Sequence, residues 1–403
     1  MVPTTDSTTA LYIHWPWCRK KCPYCDFNSH VADSLPEEVY VDALLAELAA
    51  TAPLVSKKLL TSVFFGGGTP SLMSPASVNK LLLQVQKTFP FAPEAEITLE
   101  ANPTSSDGAK FAAFAAAGVN RFSIGVQSLT PENLALLGRE HSVDDALRTV
   151  EAALKVVPNV NLDVIYGLPG QSVKSWVTDL SQVTKLGTPH LSAYQLTLEP
   201  GTVFYTDHLR GKFSLPDDDT QADFYAATTD TLATAGYTAY EVSNYAKPGA
   251  ECRHNRHIWR YGDYMGVGAG AHGRLTHPDG TTRATRNLKL PRLYMESVQK
   301  GELGRAETVE ITPAERPVEM LLMTLRLNEG LNLDHFAART GIDFSRWVNT
   351  PGLALMTRLG YVATEGRQLR VTPPGRPLLD GVIEHLIPDN IPESFLSAPR
   401  HDL

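Results

Sequence analysis

Cysteine is scarce in this sequence, and long apolar runs are missing. Four cysteines among 403 residues are too few for a disulfide-linked scaffold, so we expect reduced thiols. No apolar run reaches the roughly 18 residues of a membrane-spanning helix. The first ten residues contain neither the basic region nor the apolar region of a signal peptide. The sequence therefore predicts a cytoplasmic protein without a transmembrane segment.

Positive charge is also limited. The chain has 36 Lys and Arg against 44 Asp and Glu, which gives a formal net charge of −8. General nucleic-acid binding needs a basic surface that neutralises phosphates, so we expect no nucleic-acid partner. At 403 residues the chain exceeds the usual size of one compact domain. It is therefore expected to form one large domain and one smaller domain.

Strand-like and helix-like segments alternate through the first half of the chain. The predicted strands are residues 11–15, 62–65, 96–101, 121–126, 161–168 and 190–198. The predicted helices between them are residues 36–50, 110–117, 144–156 and 175–186, together with one that begins at Ser74-Pro75. Such alternation is typical of a parallel sheet with right-handed crossovers. Six units are fewer than the eight of a closed barrel, which predicts an α/β fold with an incomplete (β/α)6 barrel, open at one side.

Four segments of the chain are predicted. They are a barrel core (1–245), a closing and linking segment (246–312), a small C-terminal domain (313–385) and a tail (386–403). Three helices and a β-wing in the C-terminal domain resemble a winged-helix module, but the domain is not basic enough for DNA. Within the second segment, glycine-rich residues 266–273 are predicted to be tight and irregular rather than a strand. Residues 240–245, before it, are predicted as a strand.

The most distinctive stretch is a loop after the first predicted strand. It holds Cys18, Cys22 and Cys25 at the spacing C-x3-C-x2-C. Cys22 and Cys25 could form a redox-active pair, although a dithiol needs only two sulfurs. The three thiols could also bind zinc together with His14 or His30. A third interpretation is an iron–sulfur cluster. Clusters usually have four cysteine ligands, so three would leave one iron open to another group.

This spacing, its place after the first strand and the barrel periodicity resemble the radical S-adenosylmethionine (SAM) superfamily. The resemblance implies a 4Fe-4S cluster held by Cys18, Cys22 and Cys25, whose open iron chelates the methionine end of SAM. An electron passed through the cluster would cleave SAM to a 5′-deoxyadenosyl radical. The resemblance therefore also implies an electron donor such as flavodoxin or ferredoxin.

Five further motifs narrow the resemblance. They are YIHWPWC (12–18), FFGGGTPSL (64–72), EANP (100–103), SIGVQS (123–128) and DVIYGLP (163–169). They resemble oxygen-independent coproporphyrinogen III oxidase and its relatives, from about Tyr12 to about Arg370. The resemblance implies that SAM is bound by Tyr12, Tyr24, Gly67, Gly68, Thr69, Glu100, Gln127, Arg139, Asp163 and Thr197. Glycines leave room for the methionine amino group, and charged side chains suit a zwitterion. Each residue also has an ordinary alternative. Glu100 and Asp163 could be solvated loop acids, Gln127 could cap a turn and Arg139 could be a surface charge. The GGGTP segment could be only a tight turn.

Two departures from the oxidase pattern point to another branch of that family. The oxidase resembles C-x3-C-x2-C-x-C, whereas this chain has Phe27 at the last position and starts closer to the first motif. With CDFNSH (25–30) and HNRHIW (254–259), these departures resemble a heme-chaperone branch, although Ile258 replaces its tyrosine. That branch binds heme and hands it to respiratory acceptor proteins, which can be membrane-associated. The acceptor itself is not identified by the sequence.

His254 is the heme contact that the resemblance implies, because neutral imidazole is a common axial ligand. His254 and His257 could instead be ordinary hydrogen-bonding residues. His272 could line the open side of the barrel or satisfy buried backbone groups. We keep two alternatives to a heme chaperone: the oxidase itself, and a protein in which cluster and SAM are only structural.

Overall fold

Parallel strands form the centre of a large mixed sheet. The computed structural model describes residues 7–55, 57–105, 107–277 and 279–388. Within these ranges the strands are β1 (Thr8–Trp15), β2 (Trp17–Cys18), β3 (His30–Val31), β4 (Leu59–Gly67), β5 (Phe91–Ala101), β6 (Arg121–Gln127), β7 (Asn159–Tyr166), β8 (His190–Gln195), β9 (Thr238–Ala239), β10 (Asn244–Ala246), β11 (Tyr264–Val267), β12 (His272–Thr276), β13 (Thr282–Asn287), β14 (Arg305–Ile311), β15 (Leu331–Asn332), β16 (Val362–Glu365) and β17 (Gln368–Val371).

Helices follow most of the central strands. They are α1 (Glu37–Thr51), α2 (Pro75–Thr88), α3 (Gly108–Ala116), α4 (Pro131–Leu136), α5 (Val143–Leu154), α6 (Val173–Thr184), α7 (Val203–Leu209), α8 (Asp218–Thr234), α9 (Arg253–Trp259), α10 (Pro291–Gln299), α11 (Arg316–Thr324), α12 (Leu333–Thr340), α13 (Phe344–Trp347), α14 (Thr350–Arg358) and α15 (Leu379–Leu386). Ser74 caps α2 as predicted, because its side chain accepts a hydrogen bond from the Ser77 backbone N–H. None of the helices in the described ranges is long and apolar enough to cross a bilayer.

The main sheet has twelve strands in the order β14-β13-β12-β11-β1-β4-β5-β6-β7-β8-β10-β9. The predicted strands β1 and β4 to β8 pair in parallel. β11 pairs in parallel with the other side of β1, and antiparallel strands extend both edges. β14 and β9 lie at opposite ends of this order, so the sheet is open rather than a closed barrel. The predicted open α/β fold is confirmed.

Two local predictions were wrong. The glycine-rich residues 266–273 include the end of β11 and the start of β12. A side chain on Gly266 would overlap the backbone of His272, so glycine is needed because the chain returns so closely. Of residues 240–245, predicted as one strand, residues 240–243 instead connect the short strands β9 and β10, and only 244–245 belong to β10.

The apolar core lies between the sheet and its helices. Alternate residues of β1, Leu11, Ile13 and Trp15, are fully buried. The ring of Tyr40, on α1, packs edge-on against Trp15 at a centroid distance of 5.7 Å. The Tyr40 hydroxyl also donates to the His14 carbonyl at 2.8 Å. Helix α1 therefore fixes β1 just before the cysteine loop.

The C-terminal residues build a second core. The antiparallel sheet β15-β17-β16 packs with α11 to α15, an arrangement of helices and a small β-wing like the one predicted. Tyr261, which follows α9, belongs to this core, and its hydroxyl donates to Glu319 at 2.8 Å. Arg339 also donates to the buried Asp263 at 3.1 Å. These contacts fix the small domain to the large sheet. Most of the predicted tail, residues 389–403, lies outside the described residues.

Candidate metal and cofactor site

The cysteine loop leaves the carboxyl end of β1. Cys18 lies on β2, which pairs with β3 through Trp17–His30 and Cys18–Val31. The backbone N–H of Cys25 donates to the Cys22 carbonyl at 3.2 Å. All three thiols are half-buried and free of disulfide bonds. The predicted metal ligands therefore share one short, folded loop.

Enclosure makes the thiols of Cys18 and Cys25 harder to ionise in the absence of metal. Burial raises the pKa of Cys18, and it raises the pKa of Cys25 to about 11, with the neighbouring thiols adding to the effect. Bound metal reverses this preference, because a coordinating thiol is held as the thiolate. Among the described residues, no three His, Cys, Asp or Glu side chains are placed to hold a single ion. A four-iron cluster spaces its ligands more widely than one ion does.

The two histidines that could complete a zinc site make other contacts. His14 contacts the Tyr12 hydroxyl through Nδ1 at 3.0 Å and the Asn28 carbonyl through Nε2 at 2.9 Å. His30 Nε2 lies 3.3 Å from Asn28 Oδ1. His14 thus uses both ring nitrogens to position the loop, which disfavours the zinc interpretation.

The glycine segment Gly66-Gly67-Gly68 lies directly against the loop. Thr69 donates from its hydroxyl to Cys18 Sγ at 3.4 Å. A side chain on Gly68 would approach the Trp17 carbonyl to 2.6 Å, and one on Gly67 would approach the His14 ring to 2.6 Å. Gly67 also has φ +113°, which side-chain-bearing residues rarely adopt. These glycines are therefore required by packing before any ligand is considered.

Two carboxylates interact electrostatically, Glu100 near the end of β5 and Asp163 in the middle of β7. Glu100 accepts from the Gly67 backbone N–H at 3.2 Å. Asp163 accepts from the side chains of Asn161 at 2.8 Å and Ser123 at 3.2 Å. Burial, and next the charge of Asp163, raise the pKa of Glu100 to about 8, and burial raises the pKa of Asp163. A cation placed between them would relieve this cost, because it favours the ionised carboxylates.

Arg139 contacts both β6, the strand of the fourth predicted unit, and the cysteine loop of the first unit. It donates to the Gly125 carbonyl at 2.9 Å and to Cys22 Sγ at 3.4 Å. Its Nε is buried without a hydrogen-bond partner, so the guanidinium can still bind an anion. Gln127 has φ +67° and lies close to Gly125. One depression holds Cys22, Thr69 and Arg139 together.

The remaining predicted SAM contacts lie at the border of this group. Tyr12 stacks on Phe64 with ring centroids 6.2 Å apart. Tyr24 packs on Phe204 with centroids also 6.2 Å apart. Thr197 is exposed in the loop after β8.

His254 lies in the protein interior and is not part of this group of residues. Its side chain is 4% exposed, and its Nδ1 lies 2.9 Å from the Ser62 hydroxyl. The ring stacks on Phe64 with centroids 5.0 Å apart. Burial lowers the pKa of His254 to about 3, so the imidazole is neutral. Phe64 and Tyr12 are the residues that connect it to the predicted cofactor site.

Sequence reasoning missed two residues that position the site. The Asn28 side chain donates to the Ala269 and Lys289 carbonyls, each at 2.9 Å, and so fastens the cysteine loop to the glycine-rich segment. The buried Glu47 accepts from the Gly268 N–H at 2.9 Å and from the Tyr294 hydroxyl at 2.7 Å. An acid on the apolar face of α1 was a sequence sign of this role.

Comparisons with known proteins agree with the fold and the motifs. Residues 12–183 match the Radical SAM superfamily, and residues 311–378 match the HemN C-terminal domain. A solved structure of Escherichia coli coproporphyrinogen III oxidase (HemN) has a TM-score of 0.79 and 24% identity, covering 95% of this chain and 91% of that one. It therefore shares the fold. Together these observations define a radical SAM protein.

The sequence relatives narrow the class. Heme chaperone HemW of Escherichia coli (strain K12) is 41% identical over 377 residues, which is 93% of this chain and 97% of the relative. Heme chaperone HemW of Haemophilus influenzae is 38% identical over 93% of this chain and 97% of the relative. The mitochondrial radical S-adenosyl methionine domain-containing protein 1 of Danio rerio is 41% identical over 83% of this chain and 76% of the relative. The chain belongs to the HemW family of radical SAM proteins.

Proposed function

We propose that this protein is a heme chaperone that binds a 4Fe-4S cluster, SAM and heme, and hands heme to an acceptor protein. The observation that carries the proposal is the grouping of three half-buried thiols with a glycine segment, two carboxylates and a half-buried arginine beside the central parallel strands. The relatives named heme chaperones support the heme part. We propose a cytoplasmic location, where thiols stay reduced.

The loop fits a cluster with an open iron. Cys18, Cys22 and Cys25 would supply three thiolates, and Thr69 and Arg139 already donate hydrogen bonds to two of the sulfurs. Hydrogen bonds to cluster sulfurs influence the reduction potential. When bound, the cluster and SAM supply one-electron radical chemistry. That chemistry needs an external donor such as flavodoxin or ferredoxin.

The surrounding residues fit a zwitterionic amino acid joined to a nucleoside. Glu100, with the backbone of Gly67, Gly68 and Thr69, would bind the amino group, and Arg139 would bind the carboxylate. Asp163 and Gln127 would bind ribose hydroxyls. Tyr12, Tyr24 and Thr197 would contact the cluster side and the adenine. The raised pKa of Glu100 fits a site that waits for a cation.

For heme, His254 remains the predicted ligand, and its neutral imidazole suits iron. Because the ring is buried against Phe64, heme would reach it only if α9 moved. The acceptor protein is proposed to be a respiratory, membrane-associated protein.

Optical titration of the anaerobically reconstituted protein with heme tests the proposal. We expect a shifted Soret band in the wild type that is lost in His254→Ala and kept in His385→Ala, an exposed control. A wild type without any shift would contradict heme binding. Cys22→Ala should lose the brown absorbance of the cluster, and a full iron content in that variant would contradict the cluster.

Turnover assays separate the alternatives. Phe27 stands where the oxidase has a further cysteine, so we expect no SAM-dependent decarboxylation of coproporphyrinogen III. Robust decarboxylation would favour the oxidase. Formation of 5′-deoxyadenosine with a reductant, with or without heme, distinguishes a radical enzyme from a protein in which the cluster is structural.

A further inference from the structure

The outer surface of the cysteine loop is basic in a chain that is acidic overall. Arg19, Lys20 and Lys21 are consecutive, exposed, and lie between Cys18 and Cys22 in the sequence. The whole chain carries a net charge of −8. Consecutive cations at one place create a local positive potential even where the net charge is negative.

Apolar side chains are exposed beside these cations. Phe27 is 59% exposed and Val31 is 57% exposed. Val31 pairs with Cys18 across β2 and β3, and Lys21 donates to the Phe27 carbonyl at 3.2 Å. We call Arg19, Lys20, Lys21, Phe27 and Val31 the loop face. Its cations and its exposed apolar groups are therefore held on the same short piece of backbone as the thiols.

Other charged groups border the loop face. Lys289 is exposed, and its carbonyl accepts from Asn28 of the loop. The exposed acids are Asp26 and Asp33 in the adjoining sequence, and Glu140, which lines the same depression as Arg19 and Lys20. The cations are adjacent to one another whereas these acids are separated along the chain, so the positive charge is the concentrated one.

The depression beside the loop face reaches the metal ligands from outside. Its lining includes the exposed Arg19 and Lys20 together with Cys22 and Arg139. The cations Arg19 and Lys20 therefore line the same depression through which Cys22 is reached from solvent.

We infer that the loop face is the docking site of an acidic electron-carrier protein of the flavodoxin class. The inference rests on the proposed function, since only a cluster at Cys18, Cys22 and Cys25 needs such a donor. An exposed apolar centre with basic neighbours is complementary to a carrier whose flavin edge is surrounded by acids. The reduced flavin of the carrier gives up one electron and becomes a semiquinone, the cluster gains that electron, and no covalent bond changes.

The test compares charge reversal at the loop face with the same change elsewhere. Lys20→Glu, alone and with Lys21→Glu, is measured beside Lys185→Glu. Lys185 is exposed at the end of α6, a helix that returns to the amino edge of the sheet. Each variant is first checked for iron content. Reduction of the cluster by flavodoxin hydroquinone is then followed by stopped-flow absorbance at several salt concentrations, with dithionite as the small donor.

Binding of oxidised flavodoxin, followed by flavin fluorescence without SAM or reductant, gives a readout that needs no turnover. For the wild type we expect tight binding and fast reduction that weaken with salt. Loop-face reversal should slow reduction by flavodoxin about tenfold or more and remove most of the salt dependence. Lys185→Glu should match the wild type, and dithionite should reduce all variants equally.

Three outcomes would overturn the inference. They are wild-type rates and binding in the Lys20→Glu/Lys21→Glu variant, an equal loss in Lys185→Glu, or binding of anionic lipid vesicles that depends on these lysines while flavodoxin reduction does not. A wild-type protein that assembles no cluster contradicts the proposed function instead, and is recognised before flavodoxin is added.

Discussion

Replacing His254 tests whether this residue holds the interior together independently of heme. In heme-free protein, His254→Ala removes a ring that stacks on Phe64 at 5.0 Å and leaves the Ser62 hydroxyl without its 2.9 Å contact. A buried polar group left unpaired costs about 1–3 kcal/mol. The lost aromatic contact adds about 0.5–1.5 kcal/mol. We therefore expect the free energy of unfolding to fall by about 1.5–4.5 kcal/mol.

Urea denaturation of the heme-free protein measures this loss. The exposed His385→Ala is the matched control, and we expect it to change stability by less than about 0.5 kcal/mol. Ser62→Ala completes a double-mutant cycle, in which the coupling to His254 should be about 1 kcal/mol. Equal stability of His254→Ala and the wild type would refute the structural role and leave His254 free for heme alone.

The pH dependence of the same experiment gives a second, independent check. The folded-state pKa of His254 is lowered to about 3, from an ordinary value near 6.5. Between these values the unfolded chain binds a proton that the folded protein excludes, so this residue lowers stability as pH falls below about 6.5. The slope is up to about 1.4 kcal/mol per pH unit. The loss caused by His254→Gln should therefore shrink from pH 7 to pH 5. A constant loss would contradict burial of a neutral imidazole.

Three further substitutions test other parts of the structure. Gly67→Ala should destabilise the protein by about 1–3 kcal/mol in thermal unfolding, and by more than Gly170→Ala, which has a similar positive φ but open space for a side chain. Glu100→Gln should remove SAM binding in calorimetry yet stabilise the ligand-free protein at pH 8. The folded-state pKa of about 8 lies above the unfolded value of 4.5, so this acid lowers stability as pH rises between them. Asp263→Asn removes the buried carboxylate that Arg339 contacts at 3.1 Å and should lower the urea midpoint by an amount equivalent to about 3–5 kcal/mol. Unchanged midpoints would refute each argument.

The centre of the fold was predictable because its signals are local. Each strand and each helix can be predicted from the residue pattern of its own segment. The parallel arrangement then follows from the order in which strands and helices alternate. Strand β11 was not predicted because it contains Gly266, and glycine has a low strand propensity. Glycine is needed there because the His272 backbone passes too close for a side chain, and this contact is not visible in the sequence. The antiparallel strands β12 to β14 then had no predicted neighbour to pair with.

The candidate site divides in the same way. The spacing of the cysteines is a local pattern, whereas the Arg139–Cys22 contact joins residues 117 positions apart and depends on the topology of the sheet. Arg139 entered the predicted site only through the family resemblance, because no local pattern marks it. Asn28 was not predicted, because its partners Ala269 and Lys289 are more than 240 positions away in the sequence.

The HNRHIW stretch shows why a motif does not by itself define a binding site. Glu96 accepts hydrogen bonds from the Arg253 and His254 backbone N–H groups at 3.1 and 3.3 Å, and thereby caps the start of α9. His257 Nε2 contacts the Asp263 carbonyl at 2.8 Å. Both histidines thus have buried interior partners before any ligand is bound. Heme can bind at His254 only if the free energy of binding exceeds the cost of breaking these contacts. Stability without heme and affinity for heme must therefore be measured on the same variants.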